Sequence, residues 1–381
     1  MNQGGRIRVG VIGCGSIAQI MHLPYLRELD DRFEVSALCD VSPGALAAVA
    51  ARYGIPSGHC FADYRELCSS SAVDAVLICP NGSHVPPALA ALAAGKHTMV
   101  EKPLCYTRRE AQEFVTAARA ARDRKGLVTQ LAYMKRYDPG YQYGQRRVQA
   151  MQAAGSLFFV DVRHMHPSND LYMAHHPVSR AADVPASVRK AAQREHEDAM
   201  TESLGVEATA AQRGAFGTLM GSSIHDIYSL RGLLGRPEAI LAIEVWRRNI
   251  AALLRYPNGV RVNYTWADLG QLREFRQEFA CYGADERVTI TFPSPFLRSA
   301  PTIVTLQAMA PDRDEPAHTE TRVTSSYDEA FKREWIHFHE CIAQSKEPHT
   351  GAEDALHDTE FIIELAQEIR SIGERKPGGA D

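Results

Sequence analysis

Gly13-Cys14-Gly15-Ser16-Ile17-Ala18 follows the apolar run IRVGVI and leads into a segment of helical period. A Gly-x-Gly-x-x-Ala turn in that setting suits a pyrophosphate: Gly13 permits the tight turn, Gly15 lets the backbone approach the phosphates, and Ala18 lets helix and strand pack closely. The helix opening at Ser16 and Ile17 offers free N–H groups and a positive dipole end to the same anion. The competing reading is a purely structural glycine turn. Asp40 ends the run ALCD, at roughly the ~20-residue spacing where an acid accepts hydrogen bonds from both hydroxyls of a ribose. That favours NAD, because the 2′-phosphate of NADP would meet a like charge; capping the following helix is a second role open to Asp40. Glu101-Lys102-Pro103 follows the apolar HTMV. A Lys at the carboxyl edge of a parallel sheet would lie over the nicotinamide, where a positive ring and an apolar wall destabilise its ammonium and tune it for proton exchange with a substrate hydroxyl. A surface Lys beside a turn proline is the alternative.

These residues need a doubly wound sheet to position them, and the first third of the chain has that rhythm. Short apolar runs (IRVGVIG, FEVSALCD, AVDAVLIC, HTMVEKP, GLVTQLA) alternate with helix-period segments such as PGALAAVAARYG and REAQEFVTAARAARDRKG. Strands this short and continuously apolar are buried on both faces, which with helical connections means parallel order. The expected fold class is an α/β N-terminal Rossmann domain plus an α+β C-terminal domain with a large, mostly antiparallel sheet. Beyond residue 150 come longer β-rich runs: SLFFVDVRH, AILAIEVWR, IAALLRY-PNG-VRVNYTW, REFRQEFACYG, VTITF and TIVTLQAMA, with PNG as a hairpin signal. The domains are placed at 1–132 and 133–381. Residues 168–215 form a helical insertion, a lid or a subunit contact, and two C-terminal helical patterns pack back toward the first domain before a solvated KPGGAD tail.

Composition bounds the rest. The 381 residues, 45% hydrophobic and 23% charged, suit two sizeable cores. A net charge of −4 with scattered Lys and Arg gives no basic stripe, so nucleic acid is not an expected partner. No run reaches the ~18 apolar residues of a spanning helix, so no membrane is expected either. Eight cysteines without a CxxC pair read as buried free thiols in a reducing compartment, hence a cytoplasmic protein. His164, His166, His175, His176 and His196 invite a metal reading, but their spacing matches no common zinc pattern, and no metal is expected.

GVIGCGSIA, CPNGSH at 79–84, AGKHTMVEKP at 94–103 and YMKRYDPGY at 133–141 resemble the Gfo/Idh/MocA family of NAD(P)-dependent oxidoreductases over most of the chain outside 168–215. VRHMHP, AFKREWIHF and KEPHTGAEDAL are most similar to its inositol dehydrogenase branch. The resemblance implies that Lys102 is the catalytic Lys and that Pro80, Asn81, His84 and Glu101 border the nicotinamide. It places substrate contacts at Lys135, Arg136, Tyr137, His164 and His166; for Arg136 and Tyr137 a domain-linking role stays open. It also implies a homodimer or homotetramer with the antiparallel sheet at the interface.

The family's Asp, followed four residues later by His, aligns with Gly221 and His225: the His is kept and the Asp is absent. Positions i and i+4 share a helix face, so the family pattern sets carboxylate and imidazole side by side. Asp226 points about 100° away and cannot replace it, which leaves a carboxylate of the insertion, Glu195, Asp198 or Glu202, as the candidate substitute. His225 can still act as acid/base with Lys102. The expected function is hydride transfer between a secondary alcohol of a cyclitol, aminocyclitol or sugar and NAD, with NADP as the second choice. The alternatives are a redox-neutral enzyme with retained NAD and a non-catalytic dinucleotide-binding protein.

Overall fold

The structure, a computed structural model, describes residues 5–310 and 317–369; the KPGGAD tail and the last residues of the closing helical pattern lie outside them. The five early apolar runs form β1 (Ile7–Ile12), β2 (Phe33–Cys39), β4 (Ala75–Ile78), β5 (His97–Val100) and β6 (Thr129–Leu131), and the two-residue β3 (Cys60–Phe61), which no run marked, joins them. They pair in parallel, in the order β3-β2-β1-β4-β5-β6. β4 and β5 are buried at every position, as continuous apolar runs covered by helices on both faces should be. The strand order reverses between β1 and β4, and ligands bind beyond the carboxyl ends of strands at such a switch point. Local chemistry sets the helix ends: Ser42 caps Pro43–Tyr53 and Thr107 caps Arg108–Lys125, and each helix stops at a left-handed glycine, Gly54 and Gly126.

The second half contributes β7 (Leu157–His166), β8 (Ala239–Trp246), β9 (Asn249–Arg255), β10 (Arg261–Asp268), β11 (Arg276–Gly283), β12 (Glu286–Phe292), β13 (Ile303–Met309) and β14 (His318–Thr324). Their order is β14-β13-β12-β11-β7-β10-β9-β8, antiparallel except where β7 and β10 pair in parallel at the centre. The Pro257–Gly259 turn joins β9 to β10, with Asn258 in the left-handed conformation that such hairpins use. Between β7 and β8 the insertion supplies the helices Asp170–Met173, Ala186–Leu204 and Ala210–Thr218. The chain then returns to the first sheet. Helix Ala330–Gln344 buries Phe331, Trp335 and Phe338 against Val9, Ile20 and Phe33, while Ile362 and Ile363 of helix Ala352–Glu368 share a core with Val76, Val160 and Val262. The two sheets are thereby joined through common apolar cores, which fixes the cleft between them.

Candidate active site

At the end of β1, Gly13 has φ +95° and a Cβ there would lie 2.6 Å from the Pro80 nitrogen, so only glycine closes this turn against the β4 loop. A Cβ at Gly15 would meet nothing within 4 Å, which leaves the open backbone face that a pyrophosphate needs, and the residues present fit a dinucleotide there. Asp40 accepts hydrogen bonds from Cys14 N (2.6 Å) and Ser42 N (2.7 Å), bracing the glycine turn against the next helix. The cap of that helix is Ser42 rather than Asp40. Ser16, Ile17, Pro80, Asn81, His84, Glu101 and Lys102 line one cleft, with about 660 Å³ open to water, and Lys135, His164, His166 and His225 face them across it.

Behind Lys102 the polar groups interlock. Glu101 is buried, bonded to His22 Nε2 at 2.8 Å, and accepts from the Lys102 N–H at 2.9 Å. His22 is itself held by the Trp335 indole N–H at 3.1 Å. The buried His84 ring spans the carbonyls of Glu101 (2.6 Å) and Pro80 (2.8 Å), so it ties the two cleft loops together. Lys102 Nζ donates to the Gly221 carbonyl at 3.1 Å, and burial pushes its ammonium below the usual Lys range against the opposing pull of Glu101.

Gly221 sits in the wide helical turn Leu219–Ser223, and His225 in the helix Ile224–Leu234 that continues it. His225 Nδ1 bonds the Tyr228 hydroxyl at 2.8 Å. Burial, with Lys102, Lys135, His164 and His166 around it, holds this imidazole well below its ordinary value, so it is neutral at pH 7. A Cβ at Gly221 would meet nothing within 4 Å: the missing Asp leaves open space in the cleft. The insertion does not refill it. Glu202 pairs with Arg109 at 3.0 Å, and neither it nor Glu195 nor Asp198 lines the cleft. A carboxylate–imidazole pair is made elsewhere. Asp226, fully buried, accepts from His164 Nδ1 at 2.8 Å, from the Tyr264 hydroxyl at 3.1 Å and from the Gln277 amide. The buried His164 Nε2 has no partner among the described residues. Beside it, His166 stacks on Trp266 with centroids 5.6 Å apart, and burial, then His164, lowers it to about 4. Lys135 is buried with its ammonium 4.0 Å from the centre of the Phe292 ring, and burial lowers it to about 8.

Two expected substrate contacts are corrected. Arg136 and Tyr137 do not line the cleft. Residues Met134–Tyr137 form a 3₁₀ turn, whose successive side chains point about 120° apart. Met134 and Lys135 line the cleft, while Arg136 packs beside Gly232 and the Tyr137 hydroxyl bonds Thr350 at 2.6 Å. The five histidines fall in three places: His164 and His166 in the cleft wall, His175 and His176 with their rings tilted against each other, and His196 edge-on to Tyr106. Sequence reasoning missed Trp266, Phe275, Gln277 and Asn169 in the cleft wall. The first was within reach, because in the alternating run VRVNYTW it shares a strand face with Val262 and Tyr264, both buried.

Residues 7–128 match the profile of the oxidoreductase family with an NAD-binding Rossmann fold, Gfo/Idh/MocA. An inositol 2-dehydrogenase of Paracoccus denitrificans is 36% identical over 162 residues, covering 42% of this chain and 46% of the relative, so the match spans about half the length of that protein. Across nearly the whole chain the fold is that of a Thermotoga maritima oxidoreductase (TM-score 0.68, 20% identity, covering 96% of this chain and 97% of the other). It is equally that of a 3-ketoreductase from Actinomadura kijaniata solved with NADP and TDP-benzene (TM-score 0.67, 21% identity, covering 96% and 98%). The glycine turn at the switch point and the motifs on β4 and β5 lie in residues 7–128, the part of the chain that matches the NAD-binding Rossmann domain of the Gfo/Idh/MocA oxidoreductase family.

Proposed function

We propose that the protein is an NAD-dependent dehydrogenase or ketoreductase acting on a secondary alcohol of a cyclitol, aminocyclitol or sugar. The observation that carries this reading is the convergence of Lys102 and His225 on one cleft beside the Gly13–Ala18 turn. The bound nicotinamide supplies the hydride acceptor, or donor in reverse. Lys102, destabilised as an ammonium, takes the hydroxyl proton, and the neutral His225 shares or relays it toward Tyr228. Lys135, His164 and His166 orient the substrate hydroxyls, and Trp266 and Phe275 form the apolar wall that excludes water. NAD is the proposed cofactor because the carboxylate of Asp40, beside the glycine turn at the end of β2, would repel a 2′-phosphate, with NADP second. The similarity of part of the chain to inositol 2-dehydrogenases supports the substrate class.

The protein acts as a homodimer or homotetramer joined through the outer face of the eight-stranded sheet, where Leu253 is exposed. A cytoplasmic setting agrees with eight free cysteines, seven of them buried. None of the described helices is long and apolar enough to cross a membrane. The test is the appearance of reduced nicotinamide with NAD+ or NADP+ and a panel of inositols, inosamines, aldoses and glycosides. Turnover with a polyol supports the proposal; no reduction by any member contradicts it. One observation favours a second reading, a redox-neutral enzyme that keeps its NAD: residues 177–179 are tied back onto the dinucleotide-binding domain by Gln19 and Arg52. NAD released only on denaturation, with no external turnover, would establish that reading.

A further inference from the structure

The insertion leaves β7 and crosses to the far side of the first domain before its long helix begins. Ser179 makes paired backbone bonds to the Gln19 amide (2.9 and 2.8 Å), and Arg52 holds the Pro177 carbonyl at 2.7 Å and the Ser179 hydroxyl at 3.0 Å. Four residues on, the Asp183 carboxylate reaches the start of helix Pro43–Tyr53, where it accepts from Gly44 N at 2.7 Å and from the Ser42 hydroxyl. Gly44 is what allows this approach: a Cβ there would lie 2.8 Å from Asp183 Oδ2 and 2.9 Å from the Ala181 methyl.

The location gives the contact its meaning. Ser42 and Gly44 follow Asp40 directly, and the loop after this acidic position is where a dinucleotide carrying a 2′-phosphate must place that group. A hydroxyl and the first N–H groups of a helix are the donors such a phosphate would use. Here the chain's own carboxylate has taken both. We infer that Asp183 is a specificity-determining residue that fills the 2′-phosphate slot and confines this site to NAD. The inference rests on the reading that the Gly13–Ala18 turn binds a dinucleotide, and it goes beyond the Asp40 argument, because it puts a second carboxylate, from a segment outside the dinucleotide-binding domain, at the same spot. Substituting Asp40 alone therefore does not open the site to NADP.

The test is fluorescence titration of NADH and NADPH against the parent, Asp183→Ala and Gly44→Ala. The first variant removes the carboxylate; the second displaces it without changing charge. Asp183 is exposed, so its variant folds, and thermal midpoints check both. The parent is expected to prefer NADH by at least ~100-fold, since like charges juxtaposed in a binding site cost several kcal/mol. Both variants are expected to reduce that preference at least ~10-fold, mainly through tighter NADPH binding. An unchanged ratio in both folded variants, or a parent that binds the two equally, overturns the role of Asp183. A parent that binds neither overturns the dinucleotide reading itself.

Discussion

Lys102 is the residue on which the account turns, and its environment sets the pH behaviour. Burial favours the neutral amine, the form that accepts a hydroxyl proton, so alcohol oxidation should rise with pH and level off below the ordinary Lys range. Replacing Lys102 by Ala should lower kcat by roughly 10²–10⁴, the usual contribution of a positioned acid/base, while titration shows the dinucleotide still bound. The open space at Gly221 allows a sharper test. A carboxylate introduced by Gly221→Asp lies near Nζ and one helical turn before His225, favours both charged forms, and should move the rising limb of the pH–rate profile to higher pH. A limb that stays in place would remove Lys102 as the titrating group. Glu334 makes a separate prediction. Its buried carboxyl oxygens have no partner among the described residues, and burial with Glu101 nearby holds it well above the carboxylate range. A carboxyl kept protonated only in the folded state costs stability as pH rises above its unfolded value, so Glu334→Gln should raise the urea midpoint at pH 8 and leave it nearly unchanged at pH 4. Lys102 was legible as the polar residue ending an apolar strand. The His164–Asp226 pair was not, because its members come from different elements 62 residues apart and meet only when β7 packs against the helix Ile224–Leu234.

At the scale of elements, that helix carries His225 and Asp226, and its position depends on Arg231. The guanidinium bonds Asp358 at 2.7 and 2.9 Å and pairs with Asp354, pinning the helix to Ala352–Glu368. Asp358 is 1% exposed, so Arg231→Leu leaves an uncompensated buried carboxylate and should cost about 3–5 kcal/mol in urea unfolding, the usual penalty for breaking a buried pair. A loss well under 1 kcal/mol would mean that the helix is held by apolar packing alone. Periodicity and apolar runs were enough to read five of the six parallel strands, all but the two-residue β3, and β7 to β13, since burial on two faces or one leaves a pattern in the residues. β14 left none: HTETRVT is polar and almost wholly exposed, and it is a strand only because β13 offers it a hydrogen-bonding edge. The directions of Arg136 and Tyr137 were hidden for a similar reason, as a motif shows which residues lie in a turn but not which way a 3₁₀ turn aims them.

At the scale of the whole molecule, the C-terminal helices return to the first sheet, the insertion straps across it, and the outer face of the second sheet is the surface proposed for another subunit. A native mass of at least two chains of 42.1 kDa is expected by light scattering, falling to one chain with Leu253→Arg on β9 of that face. A monomeric parent would remove the sheet as an interface. The ligand that the cleft would take was not legible, because its wall comes from β7, β10, β11 and the insertion, segments in which the spacing of residues carries no chemistry until they are folded together. The most direct test of the central claim is a single turnover: reduction of protein-bound NAD+ by the active polyol of the panel, in the parent and in Lys102→Ala. Reduced nicotinamide is expected in the parent and, in the variant with NAD+ still bound, formation slowed by at least ~10². Equal reduction in both would contradict the assignment of proton transfer to Lys102.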